Sequence, residues 1–155
     1  MTAPVEIVEA SALDLEKVMI VMNRAFDPRH GEAWTAAQCA GILSLPGSLL
    51  LIARSGDRTL GFALARSVAD EGELLLIAVS PDRQRRGTGK WLVKKIIERL
   101  VNKGVKKLHL EMRTDNPALT FYNDLGFQQV GLRRDYYRRN DGLLTDAATL
   151  SLEID

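Results

Sequence analysis

The chain has 155 residues, of which 46% are hydrophobic and 26% charged, with a formal net charge of +1. This length favours one domain over 1–155 with one hydrophobic core. The near-zero charge excludes a general electrostatic attraction to nucleic acid or to membranes. The only cysteine, Cys39, excludes an internal disulfide and a cysteine-based zinc site. Because the first residues lack a signal-peptide pattern and no apolar run approaches the ~20 residues of a membrane-spanning helix, we expect a cytoplasmic protein.

The first part of the chain predicts a strand followed by two helices. Val5–Glu9 alternates apolar and polar residues, as a half-buried strand does. Ser11 is suited to cap a helix that follows it. Thr35 and Gln38 have the capping-box spacing that begins a second helix, which should end near Pro46.

Three strand-like runs come next, at Ser48–Arg54, Leu60–Val68 and Glu73–Val79. The turn residues between them lie at Ser55–Arg58 and Asp70–Gly72. A parallel pairing would need connections of a dozen or more residues, so these runs predict an antiparallel meander.

The second half alternates helices and strands. An apolar stripe after Pro81 predicts a helix that ends at Gly104, and Pro117 begins a short helix. The remaining strands are Lys107–Arg113, Phe127–Leu132 and Thr145–Ile154, with Arg133–Leu144 as a connection. The sequence thus predicts an α/β (α+β) fold with a mixed central sheet of about seven strands, antiparallel in its first half, and about four helices.

The connection from Val79 to Lys90 has the composition of an anion site. It joins a strand to a helix, and Gly87 and Gly89 fall where the helix begins. Glycines allow several backbone N–H groups to approach one anion, and the helix dipole favours negative charge there. Arg83, Arg85, Arg86 and Lys90 add positive charge. The segment therefore predicts a pyrophosphate site.

Other phosphate-binding motifs fit this segment poorly. A Walker P-loop requires glycine where Gln84 stands and Ser or Thr where Trp91 stands. A Rossmann fingerprint requires a third glycine at Leu92, and the antiparallel meander also opposes that fold. An exposed basic turn before a helix remains an alternative.

Two motifs resemble those of the GNAT acetyltransferases. Gln84-Arg85-Arg86-Gly87-Thr88-Gly89 matches the Gln/Arg-x-x-Gly-x-Gly/Ala signature of that family. Asn116–Tyr122 followed by Leu125-Gly126-Phe127 resembles its second signature. The predicted order of elements also resembles the GNAT fold over nearly the whole chain.

A narrower resemblance is to the bacterial RimI-type enzymes, which acetylate the N-terminal alanine of a small-subunit ribosomal protein. It rests on Leu75–Val79, Leu110–Arg113, Arg133–Tyr137, and Asp141-Gly142 with Asp146-Ala147. The resemblance implies acetyl-CoA as co-substrate and a peptide N-terminus as acceptor, with no metal and no direct contact with nucleic acid or membrane. The resemblance implies a general base at Glu111 and a general acid at Tyr122. It implies acceptor contacts from Trp34, Tyr136 and Tyr137. The residues it implies as cofactor contacts are Ile77, Ala78, Val79, Gln84, Arg85, Arg86, Gly87, Thr88, Gly89, Lys90 and Asn116.

The chain departs from the family pattern in two places. The interval from Asn116 to Tyr122 is one residue shorter than usual, so either Asn116 or Asp115 could hold the cofactor-contact position. The family's Phe-x-Pro-Trp segment is replaced by the longer Asp27–Thr35, which bears on peptide selectivity.

Each candidate residue also has a purely structural interpretation. Glu111 could pair with His109 or Arg113 on its strand, and Tyr122 could be a core aromatic against Leu125 and Phe127. His30 and His109 lack a third ligand at zinc spacing and are interpreted as ordinary histidines. The arginine-rich segment Arg133–Arg139 is interpreted as a loop that frames a peptide rather than an RNA-binding patch.

The sequence therefore supports direct acetyl transfer from acetyl-CoA to an amine, with a protein N-terminus as the leading acceptor. A GNAT enzyme acting on a small-molecule amine and a non-catalytic acetyl-CoA-binding module associated with the ribosome remain as alternatives.

Overall fold

The computed structural model describes residues 3–27 and 32–155. The predicted loop Asp27–Trp34 falls partly outside them, because residues 28–31, including His30, are not described. Within the described ranges one sheet has the strand order β1-β2-β3-β4-β5-β7-β6. Its strands are β1 (Val5–Ala10), β2 (Ser48–Ser55), β3 (Arg58–Val68), β4 (Glu71–Val79), β5 (Lys107–Arg113), β6 (Gln128–Arg138) and β7 (Leu144–Glu153). The helices are α1 (Leu15–Ala25), α2 (Ala36–Leu43), α3 (Thr88–Asn102) and α4 (Ala118–Asp124).

Strands β1 to β4 form the predicted antiparallel meander. The first hairpin is tighter than predicted, because Ser55 pairs with Arg58 and leaves two residues in the loop. The second turn comes earlier than predicted: Ala69 adopts a left-handed φ of 55°, and β4 already begins at Glu71.

Strands β4 and β5 are parallel but separate after three residue pairs. Pairing runs from Glu71 with Lys107 to Glu73 with His109 and then stops. Just beyond, β4 contains a bulge at Leu75, because Ala65 pairs with Leu74 while Leu64 pairs with Leu76. A bulge bends its strand and increases the local twist. The carboxyl-terminal halves of β4 and β5 therefore diverge and leave a cleft in the sheet.

The predicted starts of the first two helices, at Ser11 and Thr35, are confirmed. Thr35 and Gln38 form a reciprocal capping box, with Thr35 Oγ1 accepting from Gln38 N–H at 3.1 Å and Gln38 Oε1 accepting from Thr35 N–H at 2.8 Å. Ser11 forms a similar box with Asp14, although a 3₁₀ turn over Ala12–Asp14 precedes α1. In the part of the chain that the structure describes, no helix is both long and apolar enough to cross a membrane.

The sheet separates two hydrophobic clusters. Alternate side chains of one strand point to opposite faces, so Leu49 and Leu51 belong to one cluster and Leu50 and Ile52 to the other. The predicted apolar stripe of α3 covers the first face and α1 covers the second. The buried α3 residues are Leu92, Val93, Ile96 and Leu100, and those of α1 are Val18, Val21 and Met22.

The prediction for Arg133–Leu144 is wrong. Strand β6 continues to Arg138, so only the hairpin tip is a connection. Tyr137 and Arg138 pair with Thr145 and Leu144 of β7 beyond a bulge that begins after Arg133. Because β6 is an edge strand and mostly exposed, its side chains lack the apolar alternation that marks a strand in the sequence.

Candidate active site

The loop before α3 has the geometry of an anion cradle. Arg85 and Gly87 adopt left-handed φ values of 63° and 82°, and such turns direct consecutive N–H groups toward one point. Helix α3 begins at Thr88 without a side-chain cap, so the first N–H groups remain available. A Cβ added to Gly87 would meet nothing within 4 Å. These features fit a bound pyrophosphate.

The loop is held in place by contacts on its other side. Ser80 is buried, and its N–H donates to the Leu60 carbonyl of β3 at 2.7 Å. Its hydroxyl donates to Asp82 at 2.8 Å, and hydrogen bonds from Arg58 and Ser80 lower the pKa of Asp82 to about 2. Gln84 Nε2 donates to the Val79 carbonyl at 3.1 Å. The structure thus uses the Gln84 amide to tether the loop to the end of β4.

The end of β4 presents main-chain groups to the cleft. Ser80 N–H points to β3, and successive N–H groups along an extended strand point to opposite sides. The main-chain groups of Val79 and Ile77 therefore point to the open side, whereas those of Ala78 point to β3. No pairing with β5 occupies the open side beyond Glu73.

Helix α4 lies against the start of α3 and the end of β4. A Cβ on Gly89 would lie 3.5 Å from the Phe121 ring and 3.7 Å from Val79 Cγ2, so glycine allows this close approach. The neighbouring Tyr122 is 7% exposed and packs edge-to-face on Phe121 and Phe127. Tyr122 is therefore part of the hydrophobic core, as its structural interpretation requires.

The hydroxyl of Tyr122 forms no hydrogen bond with any described residue. Burial raises the pKa of this phenol, and the negative charge of Glu32 raises it further. The group is therefore protonated at neutral pH, as a proton donor must be.

The two residues that could contact the cofactor before α4 have different partners. Asn116 Oδ1 accepts from Ala118 N–H at 2.9 Å and so caps the helix. Asp115 Oδ1 accepts from the Arg113 guanidinium at 2.7 Å. The Asn116 amide group keeps its N–H donors available, whereas the Asp115 carboxylate is engaged.

Glu111 lies on the face of β5 opposite Leu108 and Leu110, and therefore on the α1 and α2 side of the cleft. Its side chain is 24% exposed, and Oε2 lies 3.6 Å from Arg133 Nε. The structural alternative, a pairing of Glu111 with His109 or Arg113, is not observed. His109 lies 3.5 Å from Glu71, and Arg113 is paired with Glu32 and Asp115.

Tyr136 and Tyr137 lie on β6 rather than in a loop. Their rings meet edge-to-face at 5.1 Å, and Arg133 lies 5.1 Å from the Tyr136 ring centre. Tyr137 is the less exposed of the two; burial and the charges of Glu111 and Glu32 raise its pKa to about 12. Trp34 is half-buried against the α1 cluster.

Sequence reasoning missed Glu32. It placed Arg113 on the same face of its strand as Glu111 and Arg133 in a loop near the peptide, but it did not predict the partners of either arginine. Glu32 carries no pattern, because it stands in an irregular segment before α2. No group of three or more His, Cys, Asp or Glu among residues 3–27 and 32–155 is arranged to hold a metal ion.

Comparison with known proteins agrees with this geometry. Residues 15–127 match the acetyltransferase (GNAT) family. The chain is 42% identical over 99 residues to the ribosomal protein bS18-alanine N-acetyltransferase of Salmonella typhimurium, covering 63% of this chain and 66% of that protein. It is 39% identical over 112 residues to the N-alpha-acetyltransferase RimI of Mycobacterium tuberculosis, covering 69% of each.

The fold comparison extends over almost all of the chain. The crystal structure of the ribosomal-protein-S18-alanine N-acetyltransferase from Escherichia coli superimposes with a TM-score of 0.88 at 32% identity, covering 98% of this chain and 95% of that one. In sequence, the chain spans slightly less than two thirds of the enterobacterial relatives. The family predicted from the two motifs is confirmed: this chain belongs to the GNAT family of acetyltransferases and resembles its RimI-type members.

Proposed function

We propose that residues 1–155 form one acetyltransferase domain that transfers the acetyl group of acetyl-CoA to the N-terminal α-amine of a protein. The observation that carries this proposal is the cleft between β4 and β5. It separates an anion cradle at the start of α3 from Glu111 on the opposite face of the sheet. A thioester that enters from one side can therefore meet an amine that enters from the other.

The cradle residues bind the pyrophosphate of acetyl-CoA through backbone N–H groups at Gly87, Thr88 and Gly89, with charge from Arg85, Arg86 and Lys90. Ile77 and Val79 offer main-chain hydrogen bonds to the pantetheine arm. The main-chain groups of Ala78, which lies between them, point to β3. Asn116 holds the amide-contact position, because Asp115 is engaged by Arg113. Gln84 contributes by fixing the loop to Val79.

Glu111 acts as the general base. It accepts a proton from the acceptor ammonium, directly or through a water, and the nitrogen lone pair then attacks the thioester carbonyl carbon. A free α-amine has a pKa near 8, so its proton is held less tightly than that of a lysine side chain. The backbone N–H of Val79 stabilises the negative charge that develops on the carbonyl oxygen.

Tyr122 acts as the general acid. The carbon–sulfur bond breaks, the electron pair remains on sulfur, and the phenol donates its proton to the thiolate. The hydroxyl of Tyr122, which bonds to no described residue, and its raised pKa support this role. The nitrogen loses its second proton as the amide forms, and a proton from solvent restores the Tyr122 phenol. The proton that Glu111 took also returns to solvent, so both residues regain their starting states.

The acceptor is a protein N-terminus that begins with a small residue such as alanine. Support comes from the relatives, which are alanine N-acetyltransferases of ribosomal protein bS18. A small-subunit ribosomal protein is therefore the proposed acceptor, which places the reaction in the cytoplasm. Tyr136, Tyr137 and Trp34 flank the amine side of the cleft.

The test is acetylation of synthetic peptides by the purified protein with acetyl-CoA, analysed by tandem mass spectrometry. We expect the acetyl group on the α-amine of an Ala-starting peptide. Modification of polyamines alone would indicate a small-molecule acetyltransferase, and acetyl-CoA binding without any turnover would indicate a non-catalytic module.

A further inference from the structure

Arg113 is an almost fully buried cation at the end of β5, with 8% of its side chain exposed. Its Nε lies 3.1 Å from Glu32 Oε1, and its Nη1 lies 2.7 Å from Asp115 Oδ1. One guanidinium thus faces two carboxylates, and the group keeps a net negative charge. The contact fixes the segment before α2 against the cleft end of β5.

With respect to the described residues, Glu32 retains hydrogen-bonding capacity beside Arg113. Arg113 Nε lies close to Glu32 Oε1 but forms no well-aligned hydrogen bond with it. The Glu32 side chain is 24% exposed, so part of it remains accessible beside Arg113. A carboxylate has about four lone-pair sites, of which Arg113 engages few.

Glu32 lies 3.1 Å from Arg113, which follows Glu111 by two positions on the same face of β5, so Glu32 and Glu111 lie on the same side of the sheet. The charge of Glu32 acts on the Tyr122 phenol, which is over nine-tenths buried and has no hydrogen-bond partner among the described residues. It also acts on Tyr137, which the charge of Glu111 reaches as well. A cation bound beside Tyr137 therefore lies within reach of both carboxylates, Glu32 from the α1–α2 side and Glu111 from β5.

We propose that Glu32, positioned by Arg113, is a specificity-determining residue that binds the α-ammonium group of the acceptor between itself, Glu111 and Tyr137. This inference rests on the proposed function. Glu32 selects the protonated amine and orients it, and Glu111 then accepts the proton. Arg113 is a positioning residue that touches no reacting atom and affects the acceptor through Glu32.

The test compares Glu32→Gln with Glu6→Gln. Glu6 is a matched control, because its Oε1 also contacts an arginine Nε, that of Arg54 at 2.8 Å, but on β1. Calorimetry measures binding of two peptides, one with a free N-terminal alanine and one with the same alanine acetylated. Because a hydrogen bond to a charged group is strong, we expect Glu32→Gln to reduce the preference for the free amine about 10- to 100-fold.

Steady-state kinetics supply an independent measurement. Glu32→Gln should raise the peptide KM about 10-fold or more, with kcat reduced less than about threefold and acetyl-CoA affinity unchanged. Arg113→Met should reproduce this pattern in molecules that remain folded by circular dichroism. Arg113→Lys should restore part of the wild-type affinity for the peptide.

Two outcomes overturn the inference. One is a Glu32→Gln protein whose peptide preference and KM stay within twofold of the Glu6→Gln control. The other is a wild-type protein that binds the free and the acetylated peptide equally. Failure of the proposed function looks different: acetyl-CoA binds, but no α-amine is acetylated by the wild type.

Discussion

Glu111 Oε2 lies 3.6 Å from Arg133 Nε, so the proposed base is paired with a cation from the edge strand. Arg133 is 62% exposed, and ion pairs of this kind contribute only about 0–1 kcal/mol. An incoming ammonium group can therefore replace Arg133 at the carboxylate without a large cost. The pair orients the Glu111 carboxylate without closing it off from an entering group.

The first prediction concerns Glu111. Glu111→Gln keeps the size and the hydrogen bonding of the side chain but cannot accept a proton. We expect kcat to fall ~10²–10⁴-fold while acetyl-CoA affinity stays near the wild-type value. Glu98→Gln on the outer face of α3, which removes an ion pair with Lys95, is the control. A loss under threefold at the optimum pH would assign Glu111 a structural role.

The second prediction concerns the anion cradle. Gly87→Asp places a negative charge where the pyrophosphate is proposed to bind, and we expect acetyl-CoA binding to be lost. Gly104→Asp is a matched control, because Gly104 has a similar φ of 85° and also has open space around its Cβ position. Calorimetry on both variants separates the charge effect from the shared backbone strain. Equal affinities in the two variants would remove the loop from the site.

The third prediction concerns Tyr122 and pH. Its folded pKa is raised above the unfolded value of about 10, so the unfolded chain loses the proton first as pH rises. The stabilisation is complete below pH 10 and declines above it, by at most about 1.4 kcal/mol per pH unit for one phenol. In urea denaturation between pH 9 and 11, the free energy of unfolding should decline less with pH in Tyr122→Phe than in the wild type. In addition, kcat of Tyr122→Phe should fall about 10²-fold.

An unchanged slope in Tyr122→Phe would show that the phenol titrates alike in the folded and unfolded states. An unchanged kcat would assign protonation of the thiolate to water or to another group.

The fourth prediction concerns acceptor selectivity. Tyr137 is partly buried between β6 and the cleft, and its ring can limit the size of the first acceptor residue. We expect Ala- and Ser-starting peptides both to be acetylated, because a difference of one methylene changes binding by only about 1–3 kcal/mol. Peptides that start with an aromatic residue should be rejected, because the larger side chain would overlap the Tyr137 ring. Tyr137→Ala should reduce this discrimination, whereas Val130→Ala, exposed on the same strand, should not. Acetylation of lysine side chains instead of the α-amine would contradict the proposed acceptor.

The sequence alone determined the family, the order of the elements and most of their boundaries. Capping residues, turn residues and apolar periodicity act over a few positions, so Thr35 with Gln38 and the stripe of α3 could be recognised without a structure. The two GNAT motifs are equally local, since each serves one loop or one short helix. Their residues therefore appeared in the sequence as contiguous patterns.

Only the tertiary structure decided how distant residues meet. The extension of β6 to Arg138 depends on pairing with β7, and the cleft depends on a bulge at Leu75. The partners of Glu111 and Arg113 come from β6 and from the segment before α2, at sequence separations that no periodicity encodes. Glu32 shows the reason most clearly: its local sequence carries no pattern, and its proposed role arises from the position of Arg113 across the cleft.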